Sequence, residues 1–432
     1  MASIKRDLRL MIGVNIKEYG INNISARQSI AYRFAKRKNK GFWYCIKRLI
    51  QELYLRVFSN LFGLLAWPVC YFMKIIFVPF YVRSIGHLCK EPECYIKEEI
   101  LGIRPKYTSI VLAPRGTVAN QQLLEYWKRY NIKVIESPVM CALLEPLSKN
   151  RFTVYNVEKY VFDYSPLFPE IRKKYSGGPL LKLSEHDRKY GWKVLENIGV
   201  PKEAWFVCVY CREDGYLGDV DQSNRNCDIN GYLPEIEAIT KEGGWVIRMG
   251  DAKMKEIPPM KNVVDYAHTK IKSDWMDVFL SASCRFFLGC NSGLSHLPTI
   301  FGVPSAIANC VPMSGVLSYG DQAIGIPKLV WSISENRCLT FKEIFDSPIS
   351  NYRWDSSFAK AGVKLIDNSP EDILGLAMEV MDKAKGKILY TDRDNDLQER
   401  FKSLMRPGHY SYGAVSRLGR DFLRKYAYLL KG

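Results

Sequence analysis

The sequence has no Gly-x-Gly-x-x-Gly run following a candidate strand, which argues against a nucleotide-dependent oxidoreductase, and no Gly-x-x-x-x-Gly-Lys-Ser/Thr, which argues against a P-loop enzyme. Its 12 cysteines follow no regular framework. One pair has Cys-x-x-Cys spacing, Cys208 and Cys211, but it sits in the strand-like run FVCVYC. Residues three apart on a strand point to opposite faces, and no second pair completes a zinc site. The cysteines are therefore read as reduced and the protein as lying on the cytosolic side. The first 50 residues show no apolar core followed by a small-residue cleavage site, so no secretory signal is expected. No Asp-x-Asp motif falls in a plausible strand-end loop. Asp219-Val220-Asp221 and Asp392-Arg393-Asp394 have the spacing but lie in ill-defined or polar helical surroundings. No metal and no bound cofactor are expected.

What is present suits a large globular chain. A length of 432 residues suggests two to three domains, and 47% hydrophobic with 25% charged residues is enough for sizeable cores. The net charge of +17 is uneven, because residues 1–56 carry 13 Lys and Arg against 3 Asp and Glu. Such an arm meets nucleic acid or anionic lipid. The next stretch favours lipid: Val57–Met73, VFSNLFGLLAWPVCYFM, is 17 residues without a charge. That is at the short limit for a membrane span, Pro68 would kink it, and Trp67 and Tyr71 suit an interface. Residues 1–74 are read as a membrane-associating region, lying in or dipping into the cytoplasmic leaflet beside anionic headgroups. A true span is the second reading and a buried helix pair the third. No nucleic-acid partner is expected.

Two α/β domains follow, over 75–195 and 196–385, with helices over 386–432. In the first, strands are expected at Phe77–Val82, Ser109–Ala113, Lys133–Glu136 and Phe152–Tyr155, and helices at Pro92–Leu101, Thr117–Tyr130 and Val139–Lys149. Its strand-end loops are Arg83–Leu88, with His87, and Ala113–Asn120, with Arg115, Gly116 and Asn120. Loops at the carboxyl ends of parallel strands are where such sheets bind ligands. A neutral histidine there can take a proton from an attacking hydroxyl near pH 7. In the second domain Trp205–Tyr210 and Trp245–Met249 are strands whose exits carry Arg212 and Arg248. Two strand-end guanidinium groups suggest one common anion, although each could equally pair with Glu213 or Asp251.

The chain is organised around Arg285–Pro304, RFFLGCNSGLSHLPTIFGVP. Phe286–Gly289 reads as a buried strand, Cys290-Asn291-Ser292-Gly293 as a polar turn, and Leu294–Phe301 as a helix stopped by Gly302 and Pro304. A strand, glycine turn and helix present free N–H groups and a helix dipole to an anion. Asn291 or Ser292 can cap the helix, and Gly293 lets a ligand approach the backbone. The plain alternative is a capped loop in which His296 is merely packed. A long loop, Asn309–Gly325, follows, and Ser318, Tyr319 and Asp321 could touch a ligand from it.

The string Asn291-Ser292-Gly293-x-x-His296 resembles the Asp-Thr/Ser-Gly-x-x-His loop of the lipopolysaccharide heptosyltransferases, with Asn291 where the relatives usually carry Asp. Ile85-Gly86-His87 resembles their Leu/Ile-Gly-Asp, with His87 in place of the catalytic acid. The chain as a whole resembles a family of bacterial GT-B-like surface-polysaccharide glycosyltransferases. The resemblance implies a GT-B fold: two Rossmann-like domains facing a cleft, an acceptor domain first, a nucleotide-sugar domain second, and a final helix, Ser416–Leu430, crossing back to the first. It implies glycosyl transfer from a nucleotide sugar to a surface glycan or lipid-linked acceptor at the cytoplasmic face of the inner membrane. His87 would be the base. Arg212 and Arg248 would neutralise the leaving group in place of a metal. Asn291, Ser292, Gly293, Ser295, His296 and Asp274 would bind the donor, and Arg115, Gly116 and Asn120 the acceptor. A non-catalytic membrane scaffold that keeps a degenerate GT-B fold is the rival. Donor, sugar, acceptor, linkage and stereochemistry lie beyond the sequence.

Overall fold

The computed structural model describes residues 61–157, 160, 171, 174–202, 204–213 and 221–431. The basic arm and the first residues of the apolar run lie outside the described residues. The chain divides into two compact units, Met1–Ser165 and Pro166–Gly432.

The first unit is built on three parallel strands in the order β1 (Ile75–Phe77), β2 (Thr108–Leu112), β3 (Ile132–Ile135). The expected strand Phe77–Val82 stops at its first residue. Pro79 has no N–H for a ladder, and the backbone instead folds on itself, with Phe80 N donating to the Val78 carbonyl and Val82 N to that of Phe80. The expected strand Phe152–Tyr155 is reduced to one parallel bridge from Val154 to Phe77.

The Arg83–Leu88 loop is corrected: the chain is already helical there, with one helix over Ile85–Ile100 following Ser84. Sequence reading started this helix at Pro92, since proline favours the first turn. Here Pro92 lies inside it. A proline there leaves the carbonyl four residues back without its N–H. That carbonyl belongs to Leu88, and the Trp127 indole Nε1 donates to it at 2.8 Å. A side chain 39 positions away thus makes the interior proline tolerable.

The second unit holds an all-parallel sheet. Its strands are β4 (Phe206–Tyr210), β5 (Trp245–Arg248), β6 (Val263–Val264), β7 (Phe287–Cys290), β8 (Ser305–Cys310) and β9 (Ala323–Pro327). A small antiparallel sheet follows, from β10 (Leu329–Ser332), β11 (Arg337–Cys338) and β12 (Val363–Ile366). β13 (Arg417–Leu418) returns to the large sheet, whose order is β13-β9-β8-β7-β4-β5-β6. The first six strands of this unit are thus wound both ways from β4, as in a Rossmann fold, and the order reverses between β4 and β7. Helix Pro370–Ala384 forms as expected, with Ser369 as its cap and a reciprocal bond from Asp372.

Two boundaries are corrected. Helix Glu185–Asn197 belongs to the second unit, not the first. Trp192 packs edge-on to Phe206 and Phe279, and Trp275 Nε1 donates to Asp187 at 3.0 Å. The C-terminal residues 416–430 do not form the one helix expected but a short strand, helix Arg420–Lys425 and a 3-10 turn over Ala427–Leu430. They complete the second unit: β13 pairs with β9, and Leu423, Leu429 and Leu430 enter its core. Arg424 there pairs with Asp394, and Lys425 with Asp372. Among the described residues no helix is long and apolar enough to cross a membrane.

Candidate functional site

In a doubly wound sheet the ligand crevice opens outside the carboxyl ends of the strands at the reversal point. Here that point lies between β4 and β7, so the turn from Cys211 and the turn from Asn291 are neighbours. The Arg212 N–H donates to the Cys290 thiol at 3.1 Å. Three thiols underlie the two turns. Cys227 is held well below the ordinary thiol value by hydrogen bonds from Cys211 and Cys290 and by the Lys328 ammonium, while burial pushes Cys211 and Cys290 up. Cys208, on the opposite face of β4, neighbours Cys284 instead, as the three-residue spacing predicts.

The turn itself is tightly held. Asn291 donates its side-chain amide to the Val311 carbonyl and accepts from the Tyr319 hydroxyl at 3.0 Å. A carboxylate could do only the second, so the asparagine at this position has a local reason. The Tyr319 ring lies flat on His296, with centroids 4.4 Å apart. Ser295 is fully buried and donates to the Cys290 carbonyl at 2.7 Å, which removes it from the donor-binding set. The long loop is shorter than expected, because β8 reaches Cys310 and Met313–Gly315 forms a 3-10 turn. Tyr319 and Ser318 are buried within it and Asp321 is exposed.

The expected helix Leu294–Phe301 is also corrected. It is a 3-10 turn over Leu294–His296 followed by a single helical turn, Leu297–Ile300, and no side chain caps it. Pro298 withholds one N–H, and so short a segment has little dipole to offer a phosphate. What the turn does offer is Ser292. Its hydroxyl is buried and makes no hydrogen bond among the described residues. Gly293 is partly exposed beside it.

The two strand-end arginines separate. Arg212 stays at the reversal point, mostly buried, with NH1 donating to the Gln222 carbonyl at 3.3 Å. Arg248 does not join it. It is wholly buried, ion-paired to Asp265 at 3.1 Å and Glu213 at 3.5 Å, and donates to the Lys255 carbonyl. His268 also pairs with Asp265, which raises the imidazole above its usual value. Arg248 is therefore a structural hub and not a phosphate ligand. Sequence reading missed Arg225, whose Nε and NH2 both donate to the Asn291 carbonyl, at 3.3 and 3.1 Å. Nothing in its local sequence marks it. It reaches the turn because Ser223 and Asn224 dock on the Asp355 carboxylate. Asp274 is exposed in the first turn of helix Asp274–Ser283, which Ser273 caps.

In the first unit, His87 sits one turn before Glu91 on the same helix face. Its Nδ1 is 2.7 Å from Glu91 Oε1, and Oε2 accepts the Tyr81 N–H at 3.0 Å. Burial pushes the Glu91 carboxyl above its usual range, against the opposing pull of His87 and the Tyr81 N–H. The Tyr81 ring packs beside the imidazole. A buried carboxylate that fixes one ring nitrogen of a half-exposed histidine leaves the other for a proton-transfer partner. Sequence reading missed Glu91 because the helix was started one residue after it; four-residue spacing would have shown the pair. Arg115 is largely exposed near Glu136, and Gly116 is open to solvent with a positive φ. Asn120 is fully buried and caps helix Gln121–Trp127 by accepting from Leu123 N, so it leaves the acceptor set. Among the described residues no group of three or more His, Cys, Asp or Glu is placed to hold a metal ion.

No family model matches the chain. Over 111 residues it is 30% identical to membrane protein insertase YidC 2 of Staphylococcus epidermidis, a match that covers 24% of this chain and spans 38% of the curated relative's length. In structure the chain is similar to the glycosyl transferase family 9 protein of Veillonella parvula, at 12% identity and TM-score 0.43 over 72% of this chain and 98% of that one. It is also similar to the E. coli ADP-heptose lipopolysaccharide heptosyltransferase II, at 15% identity and TM-score 0.39 over 72% of this chain and 100% of that one.

Proposed function

We propose that the protein is a glycosyltransferase that moves a sugar from a nucleotide-sugar donor to a bacterial surface glycan or lipid-linked acceptor, working at the cytoplasmic face of the inner membrane. One observation carries the reading: the Asn291-Ser292-Gly293 turn stands at the reversal point of a Rossmann-type sheet, flanked by Arg212 and Arg225, and the Ser292 hydroxyl has no hydrogen-bond partner among the described residues. A buried hydroxyl between two guanidinium-bearing loops suits the diphosphate of a nucleotide sugar. In the reaction an acceptor hydroxyl oxygen bonds to the anomeric carbon, the bond from that carbon to the diphosphate breaks, and the hydroxyl proton passes to a general base, the role for which His87 is the first unit's candidate. Glu91 orients the imidazole. Arg212 and Arg225 stabilise the charge left on the diphosphate.

A second reading has its own observation. Asn291, Ser295 and Arg248 are all engaged in internal contacts, as they would be in a membrane scaffold that has lost its activity. A thermal-shift screen with UDP, GDP, ADP, CMP and CDP, each with and without EDTA, separates the two. The transferase reading expects one nucleotide to raise the melting temperature by mass action, by an amount that survives EDTA. Ser292→Ala and Arg225→Gln lose the shift, whereas His87→Ala keeps it. A flat response to every nucleotide supports the scaffold.

A further inference from the structure

We propose that helix Pro138–Leu144 is a second membrane-contacting element, which together with the helical residues 61–72 forms one apolar surface that seats on an anionic lipid bilayer. The inference rests on the membrane reading above and deepens it, because nothing in the sequence of 138–144 marks it as an interfacial segment.

Residues 61–72 bury only one face. Gly63, Ala66 and Cys70 turn inward, and Cys70 clusters with Phe77 and Leu147, with Ala66 and Leu144 packed against them. The other face carries Leu61, Leu65, Val69 and Phe72 at helical spacing, and Leu65 is 69% and Phe72 82% exposed. The inward face fits closely. A Cβ on Gly63 would stand 2.0 Å from the Asn150 side chain. That contact and the Leu144–Leu147 packing bring helix Pro138–Leu144 alongside.

This second helix has the same division. Cys141 is buried and donates to the Ile135 carbonyl, and Leu144 joins the cluster. Val139, Met140 and Leu143 face outward, with Val139 68% and Leu143 62% exposed. Apolar residues exposed on two adjoining helices exceed the scatter of single surface side chains and mark a contact site. The charge around the patch selects the partner. Lys74 follows the first helix, and Lys149 and Arg151 flank Asn150, all exposed; Glu145, paired with Lys149, is the acidic group beside them. Residues 1–56 add 13 Lys and Arg against 3 Asp and Glu to the chain just before the patch. An apolar face with a basic border matches the acyl boundary and anionic headgroups of a bilayer.

The test is flotation of the full chain with vesicles of phosphatidylcholine, with and without phosphatidylglycerol. The unaltered protein floats with the anionic vesicles, and the combined variant Val139→Gln, Met140→Gln, Leu143→Gln binds them about tenfold or more weakly. Exposed positions of this kind leave the melting temperature almost unchanged. Leu65→Gln with Phe72→Gln reports on the first helix separately. If that pair weakens binding and the triple variant does not, the inference is overturned while the membrane reading stands. If the unaltered chain floats with neither vesicle, both fail. If the triple variant instead converts a dimer to a monomer with flotation unchanged, the patch receives a second copy and the inference is overturned.

Discussion

Asn291, Ser295 and Arg248 show how a motif can be legible while the partners of its side chains are not. The sequence places each at a strand end or in the central turn. Whether a guanidinium at a strand end faces a ligand depends on acids elsewhere, and Arg248 meets Asp265 and Glu213, 17 and 35 positions away. Arg225 reverses the case: its local sequence is featureless, and contacts with Asp355 bring it to the Asn291 carbonyl. A single buried carboxyl makes a test at this scale. Glu235 is fully buried, neither of its oxygens has a hydrogen-bond partner among the described residues, and burial, with Glu371 nearby, pushes it up to about 8. Below its unfolded value the group is protonated in both states and has no effect. As pH rises toward 8 the unfolded chain ionises while the folded one holds its proton, so stability falls, by roughly 5 kcal/mol at most. Glu235→Gln removes that dependence. Urea midpoints near pH 5 and pH 9 should therefore fall further for the unaltered protein than for the variant; parallel falls would mean that Glu235 is ionised when folded.

Strands and helices with strong periodicity were readable, and β2, β3, β4, β5 and β7 lie within a residue or so of their expected positions. Elements whose limits depend on distant packing were not. The Ile85–Ile100 helix runs through Pro92 because Trp127 takes the stranded carbonyl, and no local pattern contains that information. β13 has two residues, too few for any periodic signal. Helix Glu185–Asn197 offers a test at this scale. Gly191 would ordinarily be improved by alanine, by up to about 1 kcal/mol in a helix interior. Here a Cβ would stand 2.3 Å from the Phe279 ring, so the helix rests on Asp274–Ser283 at its glycine. Gly191→Ala should destabilise the protein by about 1–3 kcal/mol through overpacking, read as a lowered denaturant midpoint. A stabilised variant would show that the two helices do not pack at this residue.

At the scale of the molecule, alternating strands and helices were enough to foresee two parallel-sheet units. The division between them was misplaced because Trp192 finds Phe206 and Phe279 only in three dimensions. The larger core draws on Leu195 through Leu430, whereas Cys70, Phe77 and Leu147 cluster separately. Calorimetry should accordingly resolve two unfolding transitions, and a nucleotide that binds at the Ser292 turn should raise one of them. A single transition, or an equal rise in both, would mean that the units unfold together. The pairing of β13 with β9 also bears on how the protein is made. β9 ends at Pro327, and its partner is translated some ninety residues later. Until Arg417–Leu430 has emerged from the ribosome, the nascent sheet keeps an open apolar edge at Ile324 and Ile326, the kind of edge that pairs with other chains. Arg417–Leu430 thus acts as a seal, and the second unit is protected from its neighbours on the same message only once that segment has emerged and paired.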